Sequence, residues 1–284
     1  MRRWEGADVA ASWPVPGAAD DKYSRGVVGV VAGSEAYPGA AALVVSGAVQ
    51  AGAGMVRYVG PERAQDLVLA HRPEAVVHHP ADVADRLPRA QAWVVGSGVA
   101  DYPEQDAAIG AVIAESLPMV VDAGALETVA RARAAGERAV GPERVLLTPH
   151  AGELVRTLVA LRHDATEAGV ERDRVGHARL LAETARATVL LKGAVTLVVS
   201  PGGGVIELPL APAWLATAGA GDVLAGIAGA LLGAGLTAGE AGACAAWVHA
   251  RAAERASGGG PVAALDVAGA VPAVVADALA GSGS

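Results

Sequence analysis

The segment VVGVVAGSEAYPGAAALVVSGAVQAGAGMVRYVG, residues 27–60, decides the fold. It opens on a β-branched run that stops at a glycine (27–33). Pro-Gly then leads into a longer Ala/Val-rich run (38–52), and a second short apolar run follows (55–60). Short continuous apolar runs bounded by glycine read as strands buried on both faces. Proline at the head of the longer run marks a helix N-terminus. Strand, helix and strand at these lengths predict a βαβ unit, and with it a parallel sheet.

The alternation continues along the chain. AWVVGSG (92–98), PMVVDAG (118–124) and RVLLTPH (144–150) are predicted strands. Helices are predicted over 61–71, 103–116 and 151–161, with a polar helical patch at 171–187. TVLLKG (188–193), VTLVVSP (195–201) and VIELPL (205–210), with a Gly-rich turn between the last two, predict an antiparallel meander. The expected architecture is α/β: a three-layer α/β/α fold with a mostly parallel central sheet and a late antiparallel hairpin. It forms one domain over residues 1–284, with a lead-in (1–25) and a disordered GSGS tail (281–284). Several strands end in Gly, Asp or His, and open α/β sheets bind ligands beyond the carboxyl ends of their strands.

Composition narrows the function classes. Lys and Arg number 22 against 30 Asp and Glu, a net charge of −8, which argues against nucleic acid or an anionic membrane as partner. The charge-free run Val223–Gly239 is shorter than the ~20 residues a membrane span needs, and it reads as a buried helix. The N-terminal MRRWEGADVA lacks the pattern of a signal peptide, so a cytoplasmic location is expected. Cys244 is the only cysteine, which excludes an intrachain disulfide; within ACAAW it reads as an inert core thiol. The 37 glycines and abundant alanine suit close helix–sheet contacts.

Several stretches carry chemistry. GSEAYPGA (33–40) and GSG (96–98) follow strands; each is an ordinary turn or a place where a ligand approaches the backbone. Asp122 is either a helix cap or a carboxylate facing the crevice. In TPHAGE (148–153), His150 and Glu153 stand at a helix start, as capping groups or as site residues. Lys192, in LLKGAVT (190–196), either braces a phosphate or is solvated in a turn. His71, His78 and His79 fall in a polar, loop-like region and read as surface residues.

AGAGD (218–222) is the fullest signal. Small residues allow a tight turn whose N–H groups converge, and the following helix adds its positive end, making a candidate anion hole. A neighbouring carboxylate is placed to take a hydroxyl proton. The competing reading of Asp222 is a helix N-cap, which leaves the small-residue turn unexplained.

Taken in order, GS..YPGAA, the glycines at a strand end, VVDAGAL, LTPHAGE, LKG..T and GDVLAG resemble the NAD(P)H-hydrate dehydratases of the ribokinase-like superfamily. The resemblance runs from about Gly26 to His249. It implies nucleotide-dependent repair of NADHX and NADPHX. The ring hydroxyl is phosphorylated by ADP, or by ATP in other members, phosphate then leaves, and NADH or NADPH returns with AMP as co-product. On this resemblance Asp222 is the catalytic base. Gly219, Ala220 and Gly221 form the anion hole; Lys192, Gly193, Ala194, Val195, Thr196 and Gly221 bind the nucleotide. Ala40, Gly98, His150 and Asp222 contact the hydrated cofactor. Mg2+ is implied as cofactor with ligands unassigned, a homotetramer as the assembly, and a separate NAD(P)HX epimerase as functional partner.

The chain departs from the family at three places. GGTGD or GGSGD becomes AGAGD, GPGLG becomes GSGVA, and the S-H-K-G lead-in becomes Tyr23-Ser24-Arg25-Gly26; none alters Asp222. Only about twenty-five residues precede the first predicted strand, so a fused N-terminal epimerase domain is not expected. The rival readings are a ribokinase-like kinase that keeps its phosphorylated alcohol, and an inactive nucleotide-binding regulator.

Overall fold

In a computed structural model of the chain, which describes residues 1–83, 86–100, 103–136 and 140–281, the lead-in is part of the fold. It supplies β1 (Arg2–Arg3) and α1 (Gly6–Ser12), the latter started by a capping box between Glu5 and Asp8. The first strand therefore begins at Arg2 and not at Val27. The opening βαβ unit follows as β2 (Val27–Val31), α2 (Pro38–Gln50) and β3 (Met55–Val59), with β2 and β3 parallel in the register Val27 to Met55.

Next come α3 (Glu62–His71), β4 (Val76–His78), β5 (Ala92–Val95) and α4 (Pro103–Ala114). β4 corrects the reading of this region as surface loop. His78 lies in an edge strand and is half-buried, and that burial, with Arg57 nearby, lowers its pKa. The chain continues through β6 (Met119–Val121), α5 (Leu126–Ala134), β7 (Val145–Leu147) and α6 (Ala151–Ala160). Then come α7 (Glu167–Arg172), α8 (Arg174–Ala185), β8 (Thr188–Leu191), β9 (Val195–Val199) and β10 (Val205–Leu210). α9 (Ala220–Gly233), α10 (Ala238–Ser257) and α11 (Ala264–Leu279) complete it; the last two lie beyond the final predicted helix. From residue 282 the GSGS tail lies outside the described residues.

One ten-stranded sheet has the order β1-β10-β9-β8-β7-β6-β5-β2-β3-β4. β2 to β8 pair in parallel, β8–β9 and β9–β10 are antiparallel as predicted, and β1 joins β10 in parallel. Side chains alternate across the sheet and so divide the core in two. Val28, Val30, Val94, Val120, Leu146 and Leu190 face the layer containing α2, α9, α10 and α11. Val31, Trp93, Val95, Val121, Leu147 and Leu191 face the layer containing α4, α5, α6 and α8. This is the three-layer architecture expected, and it explains why the strands read as unbroken apolar runs. The chain runs outward from β2 to β3 and β4, then returns to lay β5 on the other side of β2. That reversal opens a crevice at the carboxyl ends of β2 and β5.

Candidate functional site

The loops after β2 and β5 meet in this crevice. Gly33 N–H donates to the Ser97 carbonyl at 2.7 Å. Gly98 lies against the first turn of α2 so closely that a Cβ there would stand 2.5 Å from the Ala40 Cβ. Two of the residues predicted to contact hydrated cofactor, Ala40 and Gly98, thus form one small-residue floor.

Beside that floor the ends of β6, β7 and β8 bring polar groups together. Asp122 is buried and precedes a short helical turn, yet its side chain caps nothing. It accepts hydrogen bonds from Ser97 Oγ at 3.0 Å, Thr148 Oγ1 at 2.8 Å and Lys192 Nζ at 2.8 Å. The structure thereby removes the helix-cap alternative for Asp122. Lys192 reaches Glu153 Oε2 at 3.4 Å as well, so it is no solvated turn residue. Burial alone would lower its pKa, but the charges and hydrogen bonds of Asp122 and Glu153 outweigh burial and raise it. His150 caps α6: its Nδ1 accepts from Gly152 N–H at 3.0 Å and Glu153 N–H at 3.4 Å, while Glu153 returns a bond to His150 N–H at 2.8 Å. His150 is a helix cap and at the same time lines the cavity described below.

Asp222 is not an N-cap. Gly219 holds that position, in the left-handed region at φ 84°, and Asp222 is the third residue of α9. Neither Ala218 nor Ala220 adopts positive φ, so the two alanine departures fall where alanine is conformationally free. At Gly219 a side chain would be strained, and a Cβ would stand 2.4 Å from Leu43 Cδ1. Of the three predicted anion-hole amides, Ala220 N–H donates to the Thr217 carbonyl at 3.3 Å. Those of Gly219 and Gly221 make no backbone hydrogen bond among the described residues. Burial pushes the Asp222 carboxyl up to about 7, with the charge of Asp122 adding; hydrogen bonding from Ser97 and the charge of Lys192 oppose it. Asp222 therefore titrates near neutrality beside two uncommitted amides and the positive end of a fourteen-residue helix.

A cavity of roughly 750 Å³ opens next to this turn. Lys192, Gly193, Ala194 and Thr196 line it, with Gly221 and His150; its far wall is the apolar stretch from Leu208 to Leu210. Val195 does not line it; its carbonyl accepts from Arg174 Nη2 at 3.0 Å, which fixes the segment from behind. His249, on α10, is a lining residue that sequence reasoning missed. It is 5% exposed, and its Nε2 is buried with no hydrogen-bond partner among the described residues. Burial pushes its pKa down to about 4, so it is neutral at physiological pH. Its only sequence signal is an imidazole inside an alanine-rich apolar run. Among the described residues no cluster of three His, Cys, Asp or Glu side chains is placed to hold a metal. With Asp122 and Glu153 both paired to Lys192, the described residues do not build a Mg2+ site of their own.

Comparison with known proteins identifies the family. The family described as NAD(P)H-hydrate dehydratase matches residues 28–266. The bifunctional NAD(P)H-hydrate repair enzyme Nnr of Mycobacterium tuberculosis is 48% identical over 242 residues, which cover 84% of this chain and 48% of that protein. The chain thus spans about half the length of such bifunctional relatives. The ADP-dependent (S)-NAD(P)H-hydrate dehydratase of Neisseria meningitidis serogroup B is 36% identical over 240 residues, 82% of this chain and 78% of that protein. The solved ADP/ATP-dependent NAD(P)H-hydrate dehydratase of Bacillus subtilis, co-crystallized with ATP/Mg2+, superposes with a TM-score of 0.85 at 26% identity. The match covers 98% of this chain and 99% of that one. A ribokinase-like superfamily protein of Enterococcus faecalis, at TM-score 0.83 and 20% identity over 98% and 96% of the two chains, shares the fold. The chain belongs to the NAD(P)H-hydrate dehydratase family.

Proposed function

We propose that the chain dehydrates (S)-NADHX and (S)-NADPHX to NADH and NADPH at the expense of ADP, releasing AMP and phosphate. The observation that carries this reading is Asp222: a partly buried carboxylate whose pKa desolvation pushes up to about 7, at the first turn of α9, with Asp122 and Lys192 near enough to act on its charge. In its ionised form Asp222 takes the proton of the ring hydroxyl. The freed oxygen bonds to the terminal phosphorus of ADP as the phosphoanhydride bond breaks and AMP leaves. Charge on the transferring phosphoryl group is met by the amides of Gly219 and Gly221, the α9 N-terminus and Lys192. Phosphate then departs with the bonding electrons of its C–O bond, a proton leaves the adjacent ring carbon, and the ring double bond is restored.

The nucleotide lies along Lys192–Thr196 and over Gly221, in the cavity that His249 helps to wall. Hydrated cofactor lies over Ala40 and Gly98, with His150 at the rim. Mg2+ would come with the nucleotide and would offset the charge of its phosphates beside Lys192. The unit works as one domain in the cytoplasm, as a homotetramer, alongside an epimerase that supplies the S form. No helix among the described residues is long and apolar enough to cross a membrane.

The test mixes hydrated NADH and protein with magnesium and either ADP or ATP. Return of the dihydronicotinamide absorbance with release of phosphate is expected, and accumulation of a stable phosphorylated alcohol would instead identify a kinase. Asp222→Asn should lower turnover by about 10²–10⁴ while nucleotide binding is kept, as for loss of a general base. Unchanged repair by this variant would sink the assignment.

A further inference from the structure

Arg174 stands behind the nucleotide cavity and is not part of its lining. It is the first residue of α8, and that helix start is pinned by Asp173, whose carboxylate accepts from Gly176 N–H at 2.8 Å. From there the half-buried guanidinium reaches the loop between β8 and β9. Its Nη2 donates to the Val195 carbonyl at 3.0 Å and to those of Leu191 and Lys192 at 3.4 Å each. Two hydrogens are thus shared among three acceptors. The approach also fixes a neighbour: a Cβ on Gly193 would stand 2.5 Å from Arg174 Nη1, while Gly193 does not adopt positive φ. Glycine is needed there for room, not for backbone freedom.

A backbone carbonyl or N–H shielded from water needs a partner. The other two carbonyls of the loop are taken as well. That of Gly193 accepts from Thr196 Oγ1 at 3.4 Å, and that of Ala194 from Ala211 N–H at 2.9 Å. On the donor side, Lys192 N–H reaches the Pro149 carbonyl at 2.9 Å. The amides of Gly193 and Ala194 have no partner among the described residues, and both residues line the cavity. The loop therefore keeps its acceptors occupied and two donors open, which favours an anion. Lys192 Nζ stands 3.4 Å from where a Cβ on Gly221 would lie, so the loop meets the first turn of α9 across one ammonium. Among the described residues no carboxylate pairs with Arg174, and its charge stays uncancelled behind the loop.

We propose that Arg174 is a positioning residue for the nucleotide. By gathering the carbonyls of Leu191, Lys192 and Val195 it holds the β8–β9 loop as a cradle of donors, whose Gly193 and Ala194 amides take a nucleotide phosphate. This rests on the reading of the cavity as the nucleotide site. Arg174 itself acts only through the loop.

Calorimetry of ADP and of adenosine binding separates this role from simple bracing. Arg174→Met, of similar length without the donors, should weaken ADP about tenfold, the worth of one hydrogen bond to a charged group, and adenosine less than about twofold. Loss of bracing alone would weaken both alike; that result, or an unchanged ADP affinity, overturns the proposal. Where adenosine binds too weakly to compare, the ¹⁵N resonance of Gly193, assigned by its absence in Gly193→Ala, decides. ADP should displace it in the unaltered protein and leave it nearly unmoved in the variant at equal saturation, and equal displacement in both overturns the proposal. Should Arg174→Met not fold, Arg174→Lys, a point charge without the planar fork, should weaken ADP in the same direction. An unchanged affinity there counts against Arg174. If the unaltered protein binds no ADP, the nucleotide reading fails and the cradle with it. If it binds ADP and the variants bind it equally well, only the role of Arg174 fails.

Discussion

Asp222 is held where a carboxylate charge is costly, and this has a thermodynamic signature of its own. Its pKa is 3.8 as a free side chain and about 7 in the folded chain. Below the lower value both states hold the proton and the residue is neutral in the balance. Between the two values the folded chain keeps a proton that the unfolded chain has lost, so stability falls as pH rises. Above 7 the whole cost is present, on the order of a few kcal/mol. Asp222→Asn removes the charge, so thermal unfolding should find the variant more stable than the unaltered protein at pH 8. The gap should close towards pH 4. A constant difference across that range would contradict the burial of an ionising group here. The same titration makes turnover fall as pH drops through about 7, since the base is then protonated. Stability and activity therefore run in opposite directions with pH, as expected where a site is built at the expense of the fold.

At the scale of elements, the crossing of α2 and α9 sets where the first turn of α9, and with it Asp222, stands, and that crossing depends on missing side chains. A Cβ on Gly226 would stand 2.1 Å from the Val44 carbonyl oxygen, and one on Gly47 would stand 2.4 Å from that of Val223. Gly226→Ala should therefore force the helices apart, costing about 1–3 kcal/mol by overpacking and lowering repair turnover as Asp222 moves. Gly269→Ala, on the exposed face of α11 with nothing within 4 Å of the new methyl, should stabilise by about 0.5–1 kcal/mol. Equal melting temperatures for the two variants would show that the crossing is not close-packed. The central strands and α2 were legible in sequence because burial on both faces writes itself as an apolar run. β1 and β4 were not: they have two and three residues, and much of their surface is exposed. Asp222, Lys192 and His150 were legible as motif residues. The convergence of Ser97, Asp122 and Thr148 was not, because it depends on which strands are neighbours, a property of sheet order that no local spacing records. His249 was hidden for the same reason, since α10 meets the nucleotide cavity only through the tertiary fold.

Across the whole molecule, the first thirteen residues bind the two ends of the site together. Trp4 N–H donates to the Glu207 carbonyl at 3.1 Å, extending β1 along β10. The Trp4, Val9 and Trp13 side chains are buried in the same core as α10 and α11. β10 is also the strand whose Leu208–Leu210 segment walls the nucleotide cavity, and α10 carries His249. The lead-in therefore braces both the wall and the helix that enclose one ligand. Trp4→Ala removes a large side chain that is only 3% exposed and should cost about 3–5 kcal/mol. In a chain of this size that lowers the melting temperature by roughly 6–20 °C. Saturating ADP stabilises whatever binds it, by about 2.7 kcal/mol at a hundredfold excess over Kd. At a fixed ADP concentration the loosened cavity should gain less, so the rise in melting temperature on adding ADP should be smaller in Trp4→Ala. Thermal unfolding of both proteins with and without ADP checks this. A melting temperature within 2 °C of the unaltered protein would mean that the lead-in only decorates the surface. A lower melting temperature with an undiminished response to ADP would mean that it stabilises the core without shaping the nucleotide cavity.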